Sequence, residues 1–172
     1  MSELIVKIYT QDISYLVLAG IVCVVGVHWL RRRYGRRLVP LWCAMLVCWF
    51  GVVLWATVLG RDGGGECRVC LYPLHSYREV PAGGNIEILR SSFMNMALFV
   101  PGGLAGALLL PRRWRRIWVV LAVVLAAAAF SAAIEWCQYD FRLGSAEIDD
   151  VLHNTAGAAM GCIPVLAEKR NN

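Results

Sequence analysis

The sequence predicts an all-α fold: a polytopic membrane helix bundle of about five transmembrane helices, with residues 1–172 forming a single membrane domain. Three observations predict it. Of 172 residues, 59% are hydrophobic and only 17% charged, and the mean hydropathy is +0.57; a soluble domain carries about 25% charged residues. The apolar residues gather into five runs close to the roughly 20 residues an α-helix needs to cross hydrocarbon. The charges between them are mostly short arginine clusters, as in membrane proteins. The same composition excludes a disordered tail, a collagenous chain and a small disulfide scaffold, and it fits a soluble enzyme poorly. Five of the seven cysteines (Cys23, Cys43, Cys48, Cys137 and Cys162) lie inside apolar runs and not in a secreted framework.

Each element follows from its residues. Met1–Asp12 is too polar to span and reads as a short outer segment. Ile13–Leu30 is the first span; with only Lys7 ahead of it and no small-residue cleavage pattern, it reads as a retained anchor and not a signal peptide. Leu38–Leu59 is the second. Residues 60–90 form the longest connection, rich in turn formers (Gly63–Gly65, Pro73, Pro81, Gly83 and Gly84) and without a helix or strand period. That length and composition suit a lid or binding loop. Phe93–Leu110 is the third span, with Pro101 predicting a kink and Gly102, Gly103 and Gly106 a close-packing face. Ile117–Tyr139 is the fourth. Val151–Leu166 is short and holds His153 and Asn154; it is expected to span, with a buried or re-entrant helix as the alternative.

The arginines set the expected orientation. Arg31, Arg32, Arg33, Arg36 and Arg37 follow span one; Arg112, Arg113, Arg115 and Arg116 follow span three; Lys169 and Arg170 follow span five. Placing all three clusters inside puts the N-terminus outside, the C-terminus in the cytoplasm and the 60–90 loop outside. The cytoplasmic segments then carry 11 basic residues and 1 acidic residue, the outer side 6 basic and 11 acidic. The basic pI therefore reports orientation and contact with anionic lipid, not nucleic acid.

Ionisable residues in a span are expensive and commonly mark function. Here they recur near one depth, at the outer end. Asn95 lies near the start of span three, shortly after Arg90. Glu135, Gln138 and Arg142 follow i, i+3, i+7, which would stack them on one helix face. Asp150, Asn154, Gly157 and Gly161 follow i, i+4, i+7, i+11, and Asp149 precedes them. If spans three to five pack together, these polar residues converge beneath the outer surface, with Arg142 and Arg90 as the expected counter-cations. The bland alternatives are snorkelling or a structural ion pair for Glu135, helix capping for Asp149 and Asp150, and interhelical hydrogen bonding for Asn95 and Asn154. Gly157 and Gly161 read chiefly as a packing face. Cys67 and Cys70, with His75, are too few for a zinc site; a disulfide or free thiols fit better, and no metal is expected. There is no Walker loop, dinucleotide fingerprint, Gly-x-Ser-x-Gly or His-Glu-x-x-His, so no cofactor is expected.

Three blocks of residues resemble one family. Leu71-Tyr72-Pro73-Leu74 is similar to a Leu-x-Pro-Phe loop, with Leu74 in place of Phe. Asn95 to Gly103 is similar to an Asn-x-x-x-Phe-x-Pro-x-Gly stretch, with Arg90 upstream. Glu135-x-x-Gln138, then Arg142, then Asp149-Asp150-Val151-x-x-Asn154-Thr155-x-Gly157, with Glu147 before and Gly161 after, is similar to a Glu-x-x-Gln … Asp-x-x-x-Asn-Thr-x-Gly signature. Together they resemble the VanZ-like family of small bacterial membrane proteins, named for a teicoplanin-resistance accessory protein. The resemblance implies an α-helical membrane domain with a core at about residues 70–161, and a link to glycopeptide or lipoglycopeptide tolerance at the cell surface.

Two function classes follow. The first is a non-enzymatic envelope protein that binds or shields a lipid, a cell-wall precursor or a glycopeptide antibiotic, using Arg90, Asn95, Gln138, Arg142, Asp149 and Asn154. The second is a membrane-embedded enzyme acting on a lipid-linked substrate, with Glu135 and Asp150 as an acid/base pair and Arg142 and Arg90 holding a phosphate or carboxylate. A third reading makes the polar cluster a purely structural lock between helices. Expected partners are membrane lipids and a lipid-linked or glycopeptide ligand.

Overall fold

The computed structural model describes residues 26, 29–30, 33–61, 64, 68–79, 87–110 and 115–167. The outer segment Met1–Asp12, nearly all of the expected first span Ile13–Leu30, Cys67, Pro81 and the arginine or lysine residues 31, 32, 112, 113, 169 and 170 lie outside them. The described chain is mostly helical. A 3-10 turn, Gly35–Leu38, leads into α1 (Val39–Leu54), which has Pro40 in its first turn and runs on into a π-helical turn, Trp55–Leu59. Then come β1 (Val69–Cys70), α2 (His75–Glu79), α3 (Glu87–Leu109), α4 (Arg116–Asp140), β2 (Ala146–Glu147), α5 (Ile148–Gly161) and α6 (Ile163–Ala167).

Among the described residues, three helices are long and apolar enough to cross a membrane: Val39–Leu59, Arg90–Leu109 and Arg116–Asp140. At 1.5 Å per residue each spans about 30 Å or more. The last apolar run is divided. α5 has 14 residues and stops at Gly161, and α6 begins two residues later. The cause is Pro164, which has no N–H to give the Met160 carbonyl. The Cys162 N–H bonds the Ala159 and Met160 carbonyls instead. Cys162 keeps right-handed helical dihedrals, so the backbone stays helical through the break. Arg116 donates to the Leu166 carbonyl at 2.9 Å, tying the end of this segment to the start of α4.

α5 packs most closely on α3, and small residues permit it. A Cβ at Gly157 would collide with the Met96 carbonyl, one at Gly161 with the Val100 carbonyl, and one at Gly103 with the Ala158 carbonyl. Backbone lies against backbone along this seam, the geometry that small-xxx-small faces allow. α1 and α4 pack around the pair.

The buried interior changes character along the bundle axis. Near the arginine-bearing end it is apolar, with Trp42 among the aliphatic Leu104, Leu108, Val119, Val123 and Val165. Midway it holds Val53, Phe99, Ala127, Ile134 and Ala158, with Trp49 and Phe130 packed against them; the Trp49 and Phe99 rings meet edge-on at 5.3 Å. At the other end the buried side chains are polar: Thr57, Ser92, Ser131, Glu135, Gln138, Asp149, His153 and Asn154. One face of α4 displays the whole gradient in steps of four residues: Val119, Val123, Ala127, Ser131, Glu135.

Candidate functional site

The polar end is built on two facing helices. Ser131 and Glu135 sit one turn apart on α4, and Asp150 and Asn154 one turn apart on α5. The helices are joined by the short turn 141–147, so they run in opposite senses, and the four residues make a rectangle. Asn154 Nδ2 donates to Ser131 Oγ at 2.8 Å on the inner edge. On the outer edge Asp150 faces Glu135, and its charge acts on the Glu135 carboxyl. α3 supplies Asn95, whose side chain hydrogen-bonds Asp150. Glu135 Oε2 accepts the Glu147 backbone N–H at 2.9 Å, so the residue just before α5 fixes the carboxylate of α4.

Burial here is deep. Glu135 is 6% exposed, Asp149 2%, His153 5% and Asn154 4%. Removing a carboxylate from water costs several kcal/mol unless partners replace the water. The charge of Arg61 acts on both Glu135 and Asp150, and that of His153 acts on Asp150; the Arg61 guanidinium lies against Gly144 in the α4–α5 turn. Among the described residues, two buried polar side-chain atoms have no hydrogen-bond partner: His153 Nδ1 and Asn154 Oδ1.

The connection between α1 and α3 is strapped over this end. β1 pairs in parallel with β2, Val69 opposite Ala146 and Cys70 opposite Glu147. The Gly64 N–H donates to the Arg142 carbonyl. The Leu74 N–H donates to Asp149 Oδ1 at 2.5 Å, and Tyr77 Oη and His153 Nε2 share a hydrogen bond of 2.9 Å. Leu74 has φ of 59°, a conformation uncommon for a residue with a Cβ; the bond to Asp149 and the turn bond from the Tyr77 N–H to the Leu74 carbonyl hold it there.

The structure brings Glu135, Asp150, Asn95 and Asn154 together, with Asp149 beside them on the strap side. Gln138 is buried one turn beyond Glu135 and donates to the Thr57 carbonyl at 2.9 Å, an acceptor at the end of a helix where the backbone has no further N–H to use it. Arg90 is exposed at the outer part of α3. Arg142 departs from the expected stacking, because α4 ends at Asp140. The Leu143 N–H bonds the Gln138 carbonyl, the Arg142 N–H bonds the Tyr139 carbonyl, and Arg142 takes φ of 54°. This is a Schellman cap with arginine where glycine is usual, so i, i+7 spacing no longer holds and Arg142 lies exposed beyond the helix. Arg61, Tyr77, Ser131, Glu147 and His153 join the site from outside the expected set. Ser131 was accessible through its i, i+4 relation to Glu135; Arg61 and Tyr77 carried no local signal. Cys70 has a free thiol. Among the described residues no group of three His, Cys, Asp or Glu side chains could hold a metal ion.

A family model described as VanZ/LLP1 matches residues 41–167, which include every residue of this site. No curated protein and no solved structure matches the chain.

Proposed function

Because the chain belongs to the VanZ/LLP1 family and its apolar helices fit a membrane protein, we propose that it is a multi-pass envelope protein whose polar end faces outward and binds or shields a lipid, a cell-wall precursor or a glycopeptide antibiotic. Five spans, an outer N-terminus and a cytoplasmic C-terminus complete the proposal. In support, Arg33, Arg37, Arg115 and Arg116 all lie at the end of the bundle opposite the carboxylates, the distribution expected when that end is cytoplasmic. In this reading α5 and α6 together carry the fifth span, Val151–Leu166. Gln138, Arg90, Arg142 and Asp149 serve as flanking binding residues, and Glu135, Asp150, Asn95 and Asn154 as the centre.

The observation that carries the proposal is the facing pair Glu135 and Asp150. A structural lock gains from opposite charges and complete hydrogen bonding. Like charges brought together beside an unpartnered buried amide oxygen weaken a lock but suit a site that awaits a ligand. The same pair favours a second reading, acid/base catalysis on a lipid-linked substrate, in which one carboxyl gives a proton and the other takes one. Comparing lipids and cell-wall precursors from cells with and without the protein tests both. A covalently altered species assigns an enzyme. Altered retention of precursor or antibiotic without chemical change assigns binding. Profiles that are identical in both respects contradict the proposal.

A further inference from the structure

We infer that the polar end receives a primary ammonium group, with the anionic part of the same ligand held at an arginine rim. The inference rests on the binding reading above and names the ligand chemistry of that site.

Beside the hydroxyls of Thr57, Ser92 and Ser131, the Gln138 amide and the His153 ring, the buried and half-buried side chains of this end include three acceptors that come together. Glu135 and Asp150 present carboxylates, and Asn154, its Nδ2 engaged by Ser131, presents an Oδ1 with no partner while 4% exposed. Asn154 lies one helical turn from Asp150 on the same face of α5, and its Nδ2 reaches Ser131, one turn from Glu135 on α4, so the amide oxygen and the carboxylates belong to one cluster where the two helices face each other. The cations are arranged differently. Arg61, Arg68, Arg78, Arg90 and Arg142, the described arginines of this end, are all exposed. Acceptors therefore lie inside and guanidinium groups at the edge.

That polarity selects a ligand. A phosphate or carboxylate entering first would meet two carboxylates and an unpaired amide oxygen. A quaternary ammonium has the right charge but no N–H to offer. A primary ammonium carries three donors and one positive charge, matching three acceptors and relieving the repulsion between Glu135 and Asp150. An anion a few bonds from that nitrogen then falls at the rim, where the charge of Arg61 already reaches both carboxylates. A phosphate-linked amino alcohol on a lipid carries both groups at this spacing, and the lysine side chain of a cell-wall peptide carries the same primary ammonium with its carboxylates farther away.

The test uses the full chain in phosphatidylglycerol nanodiscs, with binding read by native mass spectrometry. One arm titrates phosphatidylethanolamine against its trimethylated counterpart, phosphatidylcholine. The other titrates a lysine-containing muramyl pentapeptide against its N-acetylated form. Three charge-assisted donors lost on capping the amine predict a preference of about tenfold or more for the free amine in one arm, and that arm identifies the source. Asp150→Asn should reduce the preference in protein of wild-type abundance and helicity. Equal binding of free and capped amines in both arms, or no binding of any probe, overturns the inference. If capped or anionic probes bind and Asp150→Asn abolishes it, the ammonium assignment fails while the site remains a binding site. If in addition the carboxylate variants behave as wild type in cells, the binding reading fails too.

Discussion

Arg142 and Leu74 are the two described non-glycine residues with positive φ, and both sit where the strap meets the helices. Arg142 occupies the left-handed cap position at the end of α4, so glycine there removes the Cβ penalty. Arg142→Gly should stabilise the protein by about 1 kcal/mol, seen as a raised thermal midpoint in detergent, while weakening ligand binding if the guanidinium serves the rim. An unchanged or lowered midpoint would contradict the strained cap. At this scale the sequence was legible where energetic cost marked a residue: Glu135, Asp150 and Asn154 stood out as polar groups among apolar neighbours. It was not legible where a partner comes from a distant part of the chain. Tyr77 and His153 are 76 residues apart, and nothing near Arg61 predicts that its charge reaches Glu135. Arg142 misled because the i, i+7 pattern assumes a helix that continues, and the Schellman cap ends it two residues earlier.

Among the elements, the α3–α5 seam and the strap make separate predictions. Gly157 faces the Met96 carbonyl with no room for a methyl. Gly157→Ala should therefore cost about 1–3 kcal/mol through overpacking and lower the amount of folded protein recovered from membranes; wild-type recovery would mean that the helices are not in backbone contact. The glycine spacing made this seam visible in the sequence. The strap was visible only as a turn-rich segment, since its pairing depends on a two-residue β-ladder and single side-chain bonds. Tyr77→Phe and Asp149→Ala each remove one fastening of the segment around Leu74. Both should speed hydrogen exchange in residues 71–79 while leaving α3 and α4 protected; unchanged exchange there would show that the β1–β2 pairing alone holds the strap. The expected span Val151–Leu166 ran through Pro164 because apolar content alone does not register a missing N–H; that proline divides the run into α5 and α6, while the helical dihedrals of Cys162 carry the backbone through the break.

For the whole molecule, the interior passes from apolar to polar along the bundle axis, and the helical membrane character was legible because composition and charge placement are averages over many residues. The polar end is expected to face outward. Cysteine placed at Gly64 or Arg68 should react with a membrane-impermeant thiol reagent in intact cells once the native exposed thiols are removed; labelling only after permeabilisation would invert the topology. The central claim is that the carboxylate pair is kept for a ligand and not for packing. Glu135→Gln and Asp150→Asn retain shape and much of the hydrogen bonding while removing charge. The direct measurement is the lipid and cell-wall precursor profile of cells carrying each variant, taken beside its abundance in the membrane. The account predicts abundance near wild type with the profile of cells that lack the protein. Variants that match wild type in both respects, or that disappear from the membrane as Gly157→Ala should, would contradict it.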